Sequence, residues 1–124
     1  MNIFLGIKYD KDALVLVPEI KEIIKKLGHT AHCFAVDEPY IEDTKEMMKQ
    51  AFQKIDEADM VIFESSATAF GVGIEAGYAF AKSKKIITIL NELEEPSSTM
   101  KGVSDAYMVY RDFDQLEEKL REYL

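Results

Sequence analysis

The chain is short of cysteine, of basic residues and of long apolar runs, and each shortage removes a class of protein. Its one cysteine, Cys33, can close no internal disulfide and is too little for a cysteine-based metal site. No uninterrupted apolar stretch approaches the roughly 18–20 residues that span a bilayer. Met1 and Asn2 lead straight into apolar sequence, with no basic n-region or small-residue cleavage site. A soluble, cytoplasmic, reduced protein without a membrane partner is the expectation. Lys and Arg number 15 against 23 Asp and Glu, a net charge of −8. That surface repels a phosphate backbone, so no nucleic-acid polymer is expected as partner, while one small phosphorylated ligand held by local dipoles remains compatible. His29 and His32 have no acidic or cysteine partner at ligand spacing, so no metal is expected.

What is present is a globular balance, 48% hydrophobic and 31% charged over 124 residues, the size of a single domain spanning 1–124. Residues 2–8 are short and apolar, as a buried strand is. Asp10 and Asp12 offer cap oxygens to a helix reaching Leu27, with Ile20, Ile23, Ile24 and Leu27 on one face and Gly28 ending it. Pro18 predicts a kink there, or the first turn of the main helix after a looser segment. A second strand is predicted over 29–35, followed by a loop through Pro39. A helix from Glu42 to about Asp56 is predicted to bury Met48, Ala51, Phe52 and Ile55. The remaining elements are predicted as a strand over 59–64, a small-residue helix over 71–83 and a strand over 85–90. They continue with a polar loop over 91–102, a strand over 106–110 and an end helix over 112–124 with Phe113, Leu116, Leu120 and Tyr123 inward. Alternating strands and helices with near-continuous apolar strands predict an α/β fold. Its form is a flavodoxin-like or Rossmann-like three-layer sandwich around a five-stranded parallel sheet. No repeat, linker or low-complexity segment interrupts it.

Ligands in such sheets sit beyond the C-terminal strand ends, where strand order reverses. The loops after strands one, three and four supply that rim, and the middle one carries the most information, from Glu64 to Tyr78. Gly71 and Gly73, two apart, allow close backbone approach, and the helix that follows points free N–H groups outward. They do not make a dinucleotide fingerprint, whose third glycine would fall at Ala76, and no Gly-Lys-Ser/Thr phosphate loop exists. Glu75 is the odd residue, an acid in the opening turn of a helix of small and aromatic residues. It reads either as a dipole-complementing surface acid or as an ionised carboxylate aimed into the crevice. The second form suits attack on an anomeric carbon. Ser65 and Ser66 read as contacts to sugar hydroxyls or phosphate, or as loop caps. Lys8 and Tyr9, at the exit of the first strand, read as seats for a phosphate and a base, or as a solvated Lys and a half-buried Tyr. The acidic runs Glu92–Glu95 and Glu117–Glu118 read as solvated faces, the first near the expected site rim.

The stretch 58–64 followed by Gly71-Val72-Gly73-Ile74-Glu75-Ala76-Gly77-Tyr78-Ala79 resembles the nucleoside 2-deoxyribosyltransferase superfamily, in particular its 2′-deoxynucleoside 5′-monophosphate N-glycosidases. The likeness is sharp over about 25 residues and looser elsewhere, including the Gly6 turn and Ser98-Thr99-Met100. It implies cleavage or transfer at an N-glycosidic bond, with Glu75 as the nucleophile that attacks C1′. It further implies substrate contacts among Gly6, Lys8, Tyr9, Ser65, Ser66, Gly71, Gly73, Ser98 and Met100, with no metal and no cofactor. A nucleoside or nucleotide is the implied partner, and the Ser98–Met100 loop is one that reaches a neighbouring subunit's site in the family. A homodimer or larger homo-oligomer is implied accordingly. Three positions depart from the family: Ala51 where a second carboxylate is usual, Ala69 where an Asp or Ser is usual, and Ile7 beside Gly6 where a Ser is usual. No donor for the leaving base is identified, so a non-catalytic nucleotide-binding module of the same fold stands as the alternative. A flavodoxin or phosphoreceiver fits the architecture but lacks its phosphate cradle or acidic trio.

Overall fold

Five strands lie side by side in the order β2-β1-β3-β4-β5, every pair parallel. The computed structural model describes residues 1–124. In chain order its elements are β1 (Asn2–Ile7), α1 (Ala13–Lys26), β2 (Thr30–His32), α2 (Phe34–Asp37), α3 (Thr44–Glu57) and β3 (Met60–Glu64). There follow α4 (Phe70–Ala81), β4 (Ile86–Asn91), α5 (Ser98–Val103), β5 (Ala106–Tyr110) and α6 (Phe113–Arg121). The expected α/β architecture with a five-stranded parallel sheet is what the chain adopts.

Alternation along the strands builds two cores. Ile3, Leu5, Ile7, Met60 and Ile62 face α1 and α6, meeting Val17, Ile20, Ile24, Leu116 and Leu120. Phe4, Val61, Phe63 and Ile86 face the other side, meeting Ile55, Val72, Ala76, Ala79 and Met100. Each fully buried Leu, Ile or Phe contributes about 1.5–3 kcal/mol of transfer free energy. Such burial explains why strands with this little polarity stay in register. Strand order reverses between β1 and β3, whose last residues, Ile7 and Glu64, pair at the C-terminal edge. The crevice of a doubly wound sheet opens at that switch point.

Local chemistry corrects several sequence expectations. The second strand is only three residues long, because the Asp37 carboxylate accepts the Cys33 N–H at 2.8 Å and pairs with Lys21, drawing the chain into α2. Burial pushes the Cys33 thiol up to about 11, so it stays protonated. Pro18 lies inside α1 at its sixth position, with no separate looser segment before it. One lost N–H bond there is offset by the buried stripe Ala13, Val17, Ile20, Ile23 and Ile24. The segment 91–102 is not all loop: Ser97 caps α5, its hydroxyl accepting the Met100 N–H at 3.3 Å, and Met100 anchors the turn in the core. Tyr123 is exposed rather than inward, its ring beneath the Lys85 ammonium. No helix is long and apolar enough to cross a membrane.

Candidate active site at the β1–β3 switch point

Glu75 is carried by α4, which packs on β1, β3 and β4 through Val72, Ala76 and Ala79. Small residues on that inner face bring the helix close to the sheet. Gly6 of β1 completes the approach. A Cβ built on Gly6 would stand 2.4 and 2.6 Å from carbons of the Phe63 ring and 3.4 Å from Glu75 Oε1. Phe63 is fully buried and cannot yield, so position 6 admits only glycine without repacking. The Phe63 ring thus fills the space beside the Gly6 backbone, with the Glu75 carboxyl next to it.

Glu75 is the sixth residue of α4, not a member of its first turn. The helix dipole acts within the first turn, and the expected ionisation by the helix N-terminus does not occur. Desolvation governs instead: burial alone pushes the Glu75 carboxyl up to about 7, with no hydrogen bond or neighbouring charge contributing. The side chain is half-buried and has no protein partner, and its carboxyl oxygens keep some contact with solvent. A carboxyl that is partly desolvated, reaches solvent and serves no structural pairing is free to meet a ligand.

Glu64, unlike Glu75, is buried and paired. It is 1% exposed and fully engaged. Its Oε1 accepts the Ser66 N–H at 2.5 Å, and its Oε2 accepts the Ser66 hydroxyl at 2.9 Å and the Tyr110 hydroxyl at 2.6 Å. Ser66 Oγ accepts the Asn91 N–H at 3.0 Å, which ties the ends of β3, β4 and β5 together. Burial and the adjacent Glu64 charge push the Tyr110 phenol well above its usual range, so it remains a donor. By strand alternation Glu64 projects toward the α1–α6 side and Gly6 toward α4, so the two acids lie on opposite faces of the sheet.

Beside the start of α4 opens a cleft of about 370 Å³. The sequence-predicted residues Ser65, Ser66, Gly73 and Met100 line it. Glu75, Gly6, Lys8, Tyr9, Gly71 and Ser98 do not. Lys8 and Tyr9 are exposed beyond β1, and Ser98 is exposed at the head of α5. Gly71 and Gly73 are helical rather than a turn, and nothing lies within 4 Å of a Cβ built on either, so neither is needed for packing within the chain. Ser65 Oγ is enclosed and has no partner. Thr68, Ser97, Thr99, Glu94 and Glu95 also line the cleft and were not singled out as contacts from the sequence. The acidic run over 92–95 and the Ser98-Thr99-Met100 stretch are the local signals the sequence offers there. Ala51 is 2% exposed on α3. No group of His, Cys, Asp and Glu is arranged to hold a metal ion.

No family model matches the chain. A curated relative from Thermofilum pendens, "Putative 2′-deoxynucleoside 5′-phosphate N-hydrolase 1", is 25% identical over 136 aligned positions covering all of this chain and 95% of the relative. Among solved structures, the CMP N-glycosidase of Clostridium botulinum superposes with a TM-score of 0.77 at 24% identity, covering 100% of both chains. The 2-deoxyribosyltransferase of Bacillus psychrosaccharolyticus also gives 0.77, at 18% identity over 94% of this chain and 90% of that one. Along its whole length the chain is similar in sequence to that N-hydrolase, and in fold to the N-glycosidase and deoxyribosyltransferase structures.

Proposed function

We propose that the chain cleaves or transfers at the N-glycosidic bond of a (deoxy)nucleoside or nucleoside monophosphate, with Glu75 as nucleophile. The observation that carries the reading is the half-buried, partnerless Glu75 carboxyl lying beside Gly6 at the sheet's switch point. A group pushed up to about 7 is about half ionised at neutral pH, and desolvation leaves its ionised form reactive. In the first step a Glu75 oxygen bonds to C1′, the C1′–N bond breaks, and its electron pair leaves with the base. The leaving nitrogen takes a proton from solvent or another donor. Water, or a second base, then displaces the carboxylate from C1′. The relatives above are named for the same bond. Gly6, Lys8, Tyr9, Ser65, Gly71, Gly73, Ser98 and Met100 serve as substrate contacts in this reading, with Ser66, its hydroxyl bonded to Glu64 and Asn91, holding the strand ends beside them, within a single 1–124 domain that needs no cofactor.

The test is release of free base from a panel of nucleosides and their monophosphates. Native protein is expected to release base, and Glu75→Ala to lower the rate at least about 10³-fold. Equal release by both proteins rejects the role of Glu75. One observation favours a second reading, a binding module without turnover: no charged group acts on Glu75, and Ala51 supplies no acid. A general acid is worth about 10²–10⁴-fold. Stabilisation by ligand, about 2.7 kcal/mol at 100 times Kd, with no base released would favour that reading.

A homodimer or larger homo-oligomer belongs to the same proposal. The outer face of α4 leaves Phe70 94%, Ile74 53% and Phe80 59% exposed, with no charged side chain between them except the inward Glu75. A contiguous uncharged face on a chain of net charge −8 is where a second copy meets least repulsion. Sedimentation is expected to give a multiple of the chain mass, reduced to one chain by Phe70→Ser with Ile74→Ser. A monomeric native protein rejects it.

A further inference from the structure

Gly6 of β1 and Phe63 of β3 are paired across the sheet. Because Gly6 has no side chain, the Phe63 ring leans over the strand, so that a Cβ at Gly6 would lie 2.4 Å from its Cδ1 and 2.6 Å from its Cε1. The same point is 3.4 Å from Glu75 Oε1. The ring edge and the carboxyl therefore share one small space between β1 and α4. Phe63 is fully buried, and Phe4 braces it edge-on, the ring centroids 6.3 Å apart at 63°. A ring packed this way does not turn aside to admit water, while the carboxyl keeps its contact with solvent elsewhere.

No charge competes with the ring for control of this group. β1 and β4 carry no titratable side chain, and Glu64 of β3 projects from the opposite face. On α3 stand Lys45, Glu46, Lys49, Lys54, Asp56 and Glu57, and on α5 Lys101; none of them acts on Glu75. Tyr78, one turn further along α4, donates its hydroxyl to Asp56. Desolvation remains, and an apolar surface against one side of a carboxyl supplies it by denying the ionised form part of its hydration.

We propose that Phe63 is a positioning residue for Glu75: its ring keeps water from the Gly6 side of the carboxyl and thereby decides how readily the group gives up its proton. The bearing of this on the reaction rests on the reading of Glu75 as nucleophile. Phe63→Val opens a space on the order of one water's volume, roughly 30 Å³, beside the carboxyl. Phe63→Met refills it with a flexible apolar chain. Carbon-13 NMR of the full chain labelled at its glutamate carboxyls reads the titration directly, the Glu75 signal being the one lost in Glu75→Gln. Native protein is expected to titrate near 7, Phe63→Val about one pH unit or more lower, and Phe63→Met close to native. Phe63→Leu removes less of the ring, is expected to shift the same way, and takes the place of the valine variant should that one not fold. Base release by the shifted variant is expected to reach its plateau at correspondingly lower pH. A native midpoint in the ordinary carboxylate range overturns the proposal, as does a midpoint that Phe63→Val, or Phe63→Leu in its place, leaves unchanged. So does a Phe63→Met midpoint that falls as far as the valine variant's, since disturbed packing alone would then account for both. The expected shifts in a protein that releases no base uphold the role of Phe63 and sink the nucleophile reading; base release that depends on Glu75, without the shifts, does the reverse.

Discussion

Glu75→Gln is expected to yield a protein about 3 kcal/mol more stable than the native chain at pH 8, with that advantage gone below about pH 4.5. In the unfolded chain the carboxyl titrates at 4.5, and in the folded protein at about 7. Between those values the folded state holds a proton that the unfolded state has released. Native stability therefore falls as pH rises through the window and levels off above about 7. Glutamine mimics the protonated form at every pH and escapes that loss. All other titrating groups are common to both proteins, so the difference between two urea denaturation series, at pH 8 and pH 5, isolates Glu75. Equal stabilities at pH 8 would mean that the carboxyl is solvated when ionised, and the reactive state proposed for it would have no basis. The same linkage predicts base release that rises with pH toward a plateau above about 7, because only the ionised group attacks carbon.

The second large effect concerns Glu64. Glu64→Ala is expected to cost about 4 kcal/mol, since it strands the Tyr110 hydroxyl, the Ser66 N–H and the Ser66 hydroxyl and leaves a void in a fully buried position. Tyr110→Phe removes one charge-assisted bond of the three and is expected to cost about 2 kcal/mol. Denaturant midpoints measure both. A loss under about 1 kcal/mol for Glu64→Ala would show that Ser66 and Tyr110 find other partners. Because Ser66 also receives the Asn91 N–H, the larger loss is expected to travel with weaker ligand binding in the neighbouring cleft.

Periodicity and turn chemistry made the layered sheet legible. The run 60–64 reads as a strand because nothing in it is polar before Glu64, and the stripe Ile20, Ile23, Ile24 and Leu27 reads as a buried helix face because it repeats at three and four. Two short helices escaped. α2 exists because Asp37 reaches back to Cys33, and α5 because Ser97 caps six residues, too few to show a period. At the site, the sequence singled out Glu75 as an acid among small residues, but not its state. Even a helix starting at Gly71 places Glu75 fifth, past the first turn and out of the dipole's reach, so desolvation decides its proton. The Glu64–Tyr110 bond joins residues 46 apart, and the closeness of Gly6 to Phe63 and Glu75 spans three elements. Long-range contacts of that kind leave no local mark in a single chain. Ser66 illustrates the cost: as a residue type it suits a ligand, yet its hydroxyl is already committed to holding three strand ends.

Parallel topology has a practical consequence for handling the molecule. Strands all run toward the crevice and helices return from it, so both ends of the chain come out at the far pole. Met1 sits there with its ammonium 2.9 Å from His29 Nδ1, and Tyr123 sits there under Lys85, the residue just before β4. Fusion partners, surface tethers or fluorescent tags attached at either terminus will hang away from Glu75 and leave the crevice at the C-terminal strand ends unobstructed.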